Sequence, residues 1–295
     1  VFGRLFKGYR SAGKLTRPAG SGLAPSSIGQ RNGHRRKNRD KPGEYRRPLP
    51  HRDKTMEHAF IRVPEVHLPC GIVVPTFEAS TFLCSQAPDS RVPRAASLAW
   101  LTPWVRVSYW EALAACRASG WSLITERQWL AIAHDAAGQN CNWTGGKVGL
   151  GKLKQGLRKR SILSPASGMY QPDDKSEARW KTLSNGQKLC DFGGNAWSWV
   201  YDDIQGGQEG VTGVVEPDSP SVTTAPCDPR ADGMGIFPKA GSARLVWDDR
   251  GLIRGGGCCS GKDAGAFALY AALLNGQYAM VGFRATRPVF DGADA

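Results

Sequence analysis

The apolar positions of this chain change period along its length. Phe60-Ile61-Arg62-Val63-Pro64, Gly71-Ile72-Val73-Val74-Pro75-Thr76-Phe77 and Phe82-Leu83-Cys84 are short apolar runs bounded by Pro and Gly, which predicts short strands. Further on the spacing becomes helical. Ser108-Tyr109-Trp110-Glu111 is a capping box, in which the Ser108 hydroxyl accepts from the Glu111 amide and the Glu111 carboxylate returns a bond. It predicts a helix to about Ala118, stopped by Gly120, with Trp110, Leu113, Ala114 and Cys116 on its apolar face. Thr125-Glu126-Arg127-Gln128 repeats the device and predicts a second helix ending near Ala136, with Trp129, Leu130 and Ala133 as its buried stripe.

Two long stretches lack either period. Residues 138–190 are polar and Gly-rich and contain the basic cluster Lys152, Lys154, Arg158, Lys159 and Arg160, which reads as a solvated loop. Residues 203–240 are rich in Pro and Gly. The expectation is a compact frame carrying long insertions, of the kind that line functional faces. Asn142-Trp143-Thr144 fits a glycosylation acceptor, which is discounted because no secretory signal is evident.

The formal net charge of +13 would suggest a nucleic-acid binder, but its distribution changes that picture. Residues 1–55 hold 15 of the 39 Lys and Arg against 3 of the 26 acidic side chains, so the remainder carries 24 basic and 23 acidic groups. The basic character belongs to a Gly/Pro-rich arm without apolar periodicity. Three readings of that arm stay open: a polyanion-binding tail, a plain solvated tail, or sequence upstream of a natural start at Met56. Nucleic acid is a partner only if the arm is real. The domain is therefore taken as residues 56–295. No run of eighteen apolar residues exists, so no membrane insertion is expected, and with no secretory signal evident a cytoplasmic location is the expectation.

The eight cysteines include no CxxC pair and none with a His at ligand spacing, so no metal and no cofactor are expected, and most read as buried small apolar residues. Cys258-Cys259 is the pair of chemical interest.

Several segments together carry a family likeness. Val107 to Ala112 and Leu123 to Trp129 resemble the helix pair of the formylglycine-generating-enzyme type of C-type lectin fold. Cys190-Asp191-Phe192-Gly193-Gly194-Asn195-Ala196-Trp197-Ser198-Trp199 is similar to that family's Gly-Asn-containing strand, and Arg254-Gly255-Gly256 with Val281-Gly282-Phe283-Arg284 resemble its closing pair. The likeness runs in order over about residues 60–290 and implies an α+β class, with two helices packed on small antiparallel sheets and long loop insertions. The residues suit these roles: Gly193-Gly194-Asn195 can turn with positive φ, and Trp197 and Trp199 alternate onto one face as core.

Within that fold the enzymatic branch uses two reactive cysteines five positions apart after the Gly-Gly pair. Here Cys258 and Cys259 are adjacent and no cysteine follows, so a formylglycine-generating-type oxidase, or an inactive relative, is the alternative rather than the expectation. The segment Asp263-Ala264-Gly265-Ala266-Phe267-Ala268-Leu269-Tyr270 and the Pro64–Pro75 text instead resemble proteins diversified by retroelements, whose last segment is rewritten at adenine-rich codons. That resemblance implies a variable region at 254–285 and no catalytic residues. Its frame would be Gly255, Gly256, Ala264, Gly265, Ala266, Phe267, Gly282, Phe283 and Arg284. Its replaceable ligand-binding positions would be Cys258, Cys259, Ser260, Asp263, Tyr270, Ala272, Tyr278 and Ala279, all reachable from an Asn codon. The implied function is ligand binding, with an unidentified protein or cell-surface ligand as partner and phage-encoded receptor binding as one setting, so the resemblance adds a phage particle to the cytoplasm as an expected location. Tyr270 and Tyr278 also fit as ordinary strand residues.

Overall fold

A computed structural model describes residues 57–88, 90–216, 218–224, 245–246 and 249–289. The described residues all fall within the unit Asp53–Ala295. The basic arm of residues 1–55 lies outside the described residues.

The frame consists, in chain order, of β1 (Phe60–Val63), β2 (Phe77–Ser80), α1 (Tyr109–Ala118), β3 (Ser122–Leu123), α2 (Glu126–Ala137), β4 (Trp197–Trp199), β5 (Arg250–Arg254), β6 (Leu269–Leu273), β7 (Val281–Phe283) and β8 (Ala285–Arg287). One sheet has the order β1-β2-β8-β3 and is antiparallel throughout. The other has the order β6-β5-β4-β7. In it β5 pairs antiparallel with β4 and β6, but β4 and β7 run parallel, with Trp197 opposite Val281 and Trp199 opposite Phe283. The last two strands therefore belong to different sheets although only Arg284 separates them.

Both capping boxes form. Ser108 Oγ accepts from the Glu111 amide at 3.3 Å and Glu111 accepts from the Ser108 amide at 2.8 Å, while Thr125 and Gln128 exchange the same two bonds at 3.2 and 3.0 Å. Each satisfies two amides that helix geometry leaves unpaired, a contribution of about 1 kcal/mol. The α1 face differs from the expected one. Trp110 and Ala114 are exposed, and Tyr109, Ala112, Leu113, Ala115 and Cys116 are buried. Tyr109 tolerates burial because its hydroxyl donates to the Glu209 carbonyl at 2.6 Å.

Trp129 of α2 stacks on Phe192 at 4.2 Å and donates its indole N–H to the Ala266 carbonyl at 2.7 Å. Trp199 donates to the Val107 carbonyl at 2.9 Å and meets Tyr109 edge-on. Trp197 and Trp199 lie in one apolar cluster with Phe283, Ile253 and Leu113, as the alternation implied. The indole donors of Trp129 and Trp199 are satisfied within the core, so their burial retains its full apolar gain.

Three loop expectations change. Phe82-Leu83-Cys84 forms no strand, although the Cys84 amide bonds the Phe283 carbonyl at 2.9 Å, and a short ladder pairs Ser85–Gln86 with Ala95–Ala96. Residues 138–190 contain a hairpin, Trp180–Thr182 with Lys188–Cys190, and bury Gln155, Glu177, Arg179 and Lys181. Within 203–240, the short helix Pro220–Thr223 forms and Val214–Val215 pairs with Leu245–Val246, while residues 225–240 are outside the described set. Asn142 is buried, its amide donating to the Ala136 and Thr182 carbonyls at 2.7 Å each, which leaves no acceptor for a glycan.

Candidate functional site

The C-terminal segment starts from a fixed point. Arg254 ends β5 fully buried, and its guanidinium forms an ion pair with Glu126 at the start of α2, with Nε–Oε2 at 3.1 Å. It also donates to the carbonyls of Phe267 at 3.0 Å and Ser221 at 2.9 Å. Burial pushes the Glu126 carboxyl up, against the pull of Arg254. Gly255 and Gly256 then turn the chain with φ of 92° and 86°. A Cβ on Gly255 would stand 3.2 Å from the Trp129 ring, and one on Gly256 would stand 2.5 Å from Ala264 Cα. Here glycine is required by space as well as by φ.

The return side is equally constrained. Arg284 is fully buried between the sheets and donates to the carbonyls of Ser80 and, at 2.6 Å, Cys190. A Cβ on Gly282 would come within 2.9 Å of the Trp104 carbonyl oxygen. Ala264, Ala266 and Phe267 are buried, with Phe267 edge-on to His134.

Between these anchors lie the positions expected to be replaceable. Cys259, Ser260 and Asp263 are partly exposed on the loop after Gly257, Tyr270 is partly exposed on β6, and Tyr278 and Ala279 on the turn before β7. Met280 joins the two sides: Cys259 Sγ lies 3.0 Å and Cys258 Sγ 4.0 Å from its Sδ. Tyr270 packs on Trp197 with ring centroids 6.3 Å apart, and the Tyr278 hydroxyl accepts from the Leu273 amide at 3.2 Å. Ser260 Oγ accepts from the Gly257 amide at 2.9 Å.

Two of the eight positions do not belong to this surface. Cys258 is fully buried, its amide bonded to the Asn195 carbonyl at 2.9 Å, and Ala272 is buried in β6 against the second core cluster. Anchoring of the loop on the Asn195 carbonyl turns Cys258 inward, and Ala272, opposite Gly251 in the β5–β6 ladder, is covered by the apolar cluster that holds Trp197 and Trp199. Burial pushes the Cys258 thiol up to about 11, and the Cys259 thiol is also raised by burial, which the nearby Arg160 charge opposes. Both thiols are held protonated at neutral pH.

The basic cluster proves to adjoin the segment. The Arg160 amide donates to the Cys258 carbonyl at 2.8 Å, and the Gly261 amide to the Arg158 carbonyl at 2.9 Å. Glu177, buried, holds that loop in place by accepting from the amides of Arg158 and Lys159 at 2.6 and 2.7 Å. Asn195 is the other anchor, with φ of 69° and a side-chain amide that brackets Ala166 through two 2.8 Å bonds. No local pattern marks these residues, because their partners lie tens of residues away. The Gly-Gly-Asn turn was the one available signal. Among the described residues no group of three His, Cys, Asp or Glu is placed to hold a metal ion, and no helix is long and apolar enough to cross a membrane.

A Gly-Gly turn locked by a buried ion pair, a loop crossing the sheet end and a returning parallel strand define the class: an α+β C-type lectin fold of the formylglycine-generating-enzyme type. The chain belongs to the sulfatase-modifying factor enzyme 1-like domain family, whose model matches residues 80–286.

Solved structures similar to the chain include PvdO from Pseudomonas aeruginosa, at 12% identity and a TM-score of 0.38, covering 78% of this chain and 94% of that one. CarF is similar at 11% identity and a TM-score of 0.38, covering 79% and 99%. The Major Tropism Determinant M1 variant is similar at 13% identity and a TM-score of 0.36, covering 76% of this chain and 52% of that one. No curated relative matches the chain.

Proposed function

We propose that the chain is a ligand-binding protein whose segment 254–285 presents replaceable side chains on an invariant frame, in the manner of retroelement-diversified variable proteins. The observation that carries this is the interleaving of two kinds of position. Gly255, Gly256, Ala264, Ala266, Phe267, Phe283 and Arg284 are buried and sterically or hydrogen-bond constrained, whereas Cys259, Ser260, Asp263, Tyr270, Tyr278 and Ala279 are partly exposed. Side chains of the second kind can change without disturbing the first. Tyr270 and Tyr278 supply large, stiff, amphipathic contact area and Ser260 and Asp263 adaptable hydrogen bonding, a composition suited to a paratope. The partner is a protein or cell-surface ligand, and receptor binding by a phage particle is one setting.

The test is genomic. A reverse-transcriptase gene near the coding sequence is expected, with a near-copy of codons 254–285 differing at adenines in the codons for 259, 260, 263, 270, 278 and 279. A neighbourhood lacking both, or differences falling in the codons of the buried frame, would overturn the proposal.

A cysteine-dependent oxidase is the second reading, favoured by family membership and by the two thiols of this loop. Against it, the attacking species in such chemistry is a thiolate, and burial keeps Cys258 and Cys259 as thiols. Conversion of a sulfatase-type cysteine peptide that is lost in Cys258→Ser and Cys259→Ser would establish it; no conversion by the unaltered chain would exclude it for that substrate.

A further inference from the structure

A cleft of about 570 Å³ opens beside the antiparallel β1-β2-β8-β3 sheet, and none of the replaceable positions of the C-terminal segment lines it. Its volume falls within the range of roughly 300–1,000 Å³ usual for small-molecule sites. Trp121, following α1, forms one wall and is itself fixed edge-on by His58 at 4.8 Å and Phe60 at 4.9 Å. Arg287 of β8 lines the floor with its charge already used: Nε donates to Glu78 at 2.5 Å and the guanidinium lies 4.2 Å over the Phe60 ring.

Arg91 and Arg94 line the same cleft differently. Both are exposed, and among the described residues neither side chain has a hydrogen bond or ion pair. The described lining residues include no carboxylate to neutralise them. His58 adds a donor. Its Nδ1 accepts from the Ser97 amide at 3.4 Å, and burial together with the Arg287 charge lowers its pKa, so the ring is neutral with the proton on Nε2.

We propose that this cleft is a second binding site, independent of the C-terminal surface, for a small anion carrying a flat apolar group. The anion, a carboxylate or a phosphate, is held by the guanidinium forks of Arg91 and Arg94, and the flat group lies against Trp121. Two exposed guanidiniums lining one cleft supply charge-assisted, bidentate recognition. The indole supplies an apolar face that a bare inorganic ion cannot use.

The experiment is calorimetric titration of the full chain with phenyl phosphate and with benzoate, alongside inorganic phosphate and benzyl alcohol. Saturable one-to-one binding of phenyl phosphate or benzoate is expected, at least about ten-fold tighter than benzyl alcohol, and the tighter of the two identifies the anion. The Arg91→Gln/Arg94→Gln variant, altered only at exposed positions, is expected to lose at least about ten-fold in affinity with its melting temperature unchanged. Trp121→Leu should weaken the aromatic anion and not inorganic phosphate. Tyr270→Ala should leave all four titrations as they were. Absence of saturable binding by both aromatic anions would overturn the proposal, as would equal binding of benzyl alcohol or unchanged affinity in the double Arg variant.

Discussion

Arg254 and Glu126, 128 residues apart in the chain, meet as a fully buried ion pair that ties the start of the C-terminal segment to the first turn of α2. Removing one partner leaves a charge without water or counter-ion, which costs several times more than the pair itself contributes. Glu126→Gln or Arg254→Met is expected to destabilise the domain by about 3–5 kcal/mol in urea unfolding. The double variant should cost less than the sum of the singles. Additive costs in a double-mutant cycle would show that the two side chains act independently.

Gly256 and Gly261 both have positive φ, at 86° and 59°, but only Gly256 faces an obstruction. An added Cβ there would lie 2.5 Å from Ala264 Cα, whereas at Gly261 it would meet nothing within 4 Å. Gly256→Ala is expected to cost on the order of 3 kcal/mol and Gly261→Ala about 1 kcal/mol, read as shifts in the urea midpoint. Equal costs would mean that φ alone, and not the close approach, restricts Gly256.

Lys181 is buried in the 180–190 hairpin, where its ammonium donates to the Ala178 carbonyl at 3.1 Å. Burial first, and the Lys154 charge second, lower its pKa to about 7 from 10.5. Below about pH 7 both folded and unfolded chains hold the proton and the penalty is full; between 7 and 10.5 only the unfolded chain does, so stability from this group rises with pH. The cysteines act with the opposite sign higher up, since Cys84 and Cys258 titrate near 11 folded and near 9 unfolded. The clean window is therefore about pH 6.5 to 8.5. Lys181→Met should stabilise the domain most at the acid end, by up to about 5 kcal/mol, with the gain shrinking by about 2 kcal/mol by pH 8.5. A gain that does not vary with pH would assign the effect to packing.

What could be read from the sequence was mostly what is local. The capping boxes at Ser108 and Thr125 were legible because donor and acceptor lie three residues apart. The α1 face was misjudged by one residue: the bulk of Trp110 suggested burial, but the stripe runs through Tyr109, Ala112, Leu113 and Cys116, which a distant carbonyl at Glu209 makes possible. For the candidate surface, the Gly and Phe frame was visible through family likeness, and six of its eight outward positions are partly exposed. Burial of Cys258 and Ala272 was not visible, because it depends on Asn195 and on the β5–β6 register. The part played by Arg158 and Arg160 was hidden for the same reason, since it arises from loops paired across about a hundred residues, and Glu177 reaches their loop from 18 and 19 residues away with no periodic pattern to mark it.

The parallel pairing of β4 with β7, followed at once by insertion of β8 between β2 and β3, has a consequence for biosynthesis. A ribosome must pass all of residues 254–280 before either sheet can close. A chain truncated anywhere within residues 254–280 lacks β7 and β8 together. Such a chain leaves Trp197, Trp199 and the β2 edge uncovered, which exposes it to proteolysis and aggregation. The order of the strands thus makes closure of both sheets depend on residues 254–280 having been synthesised in full.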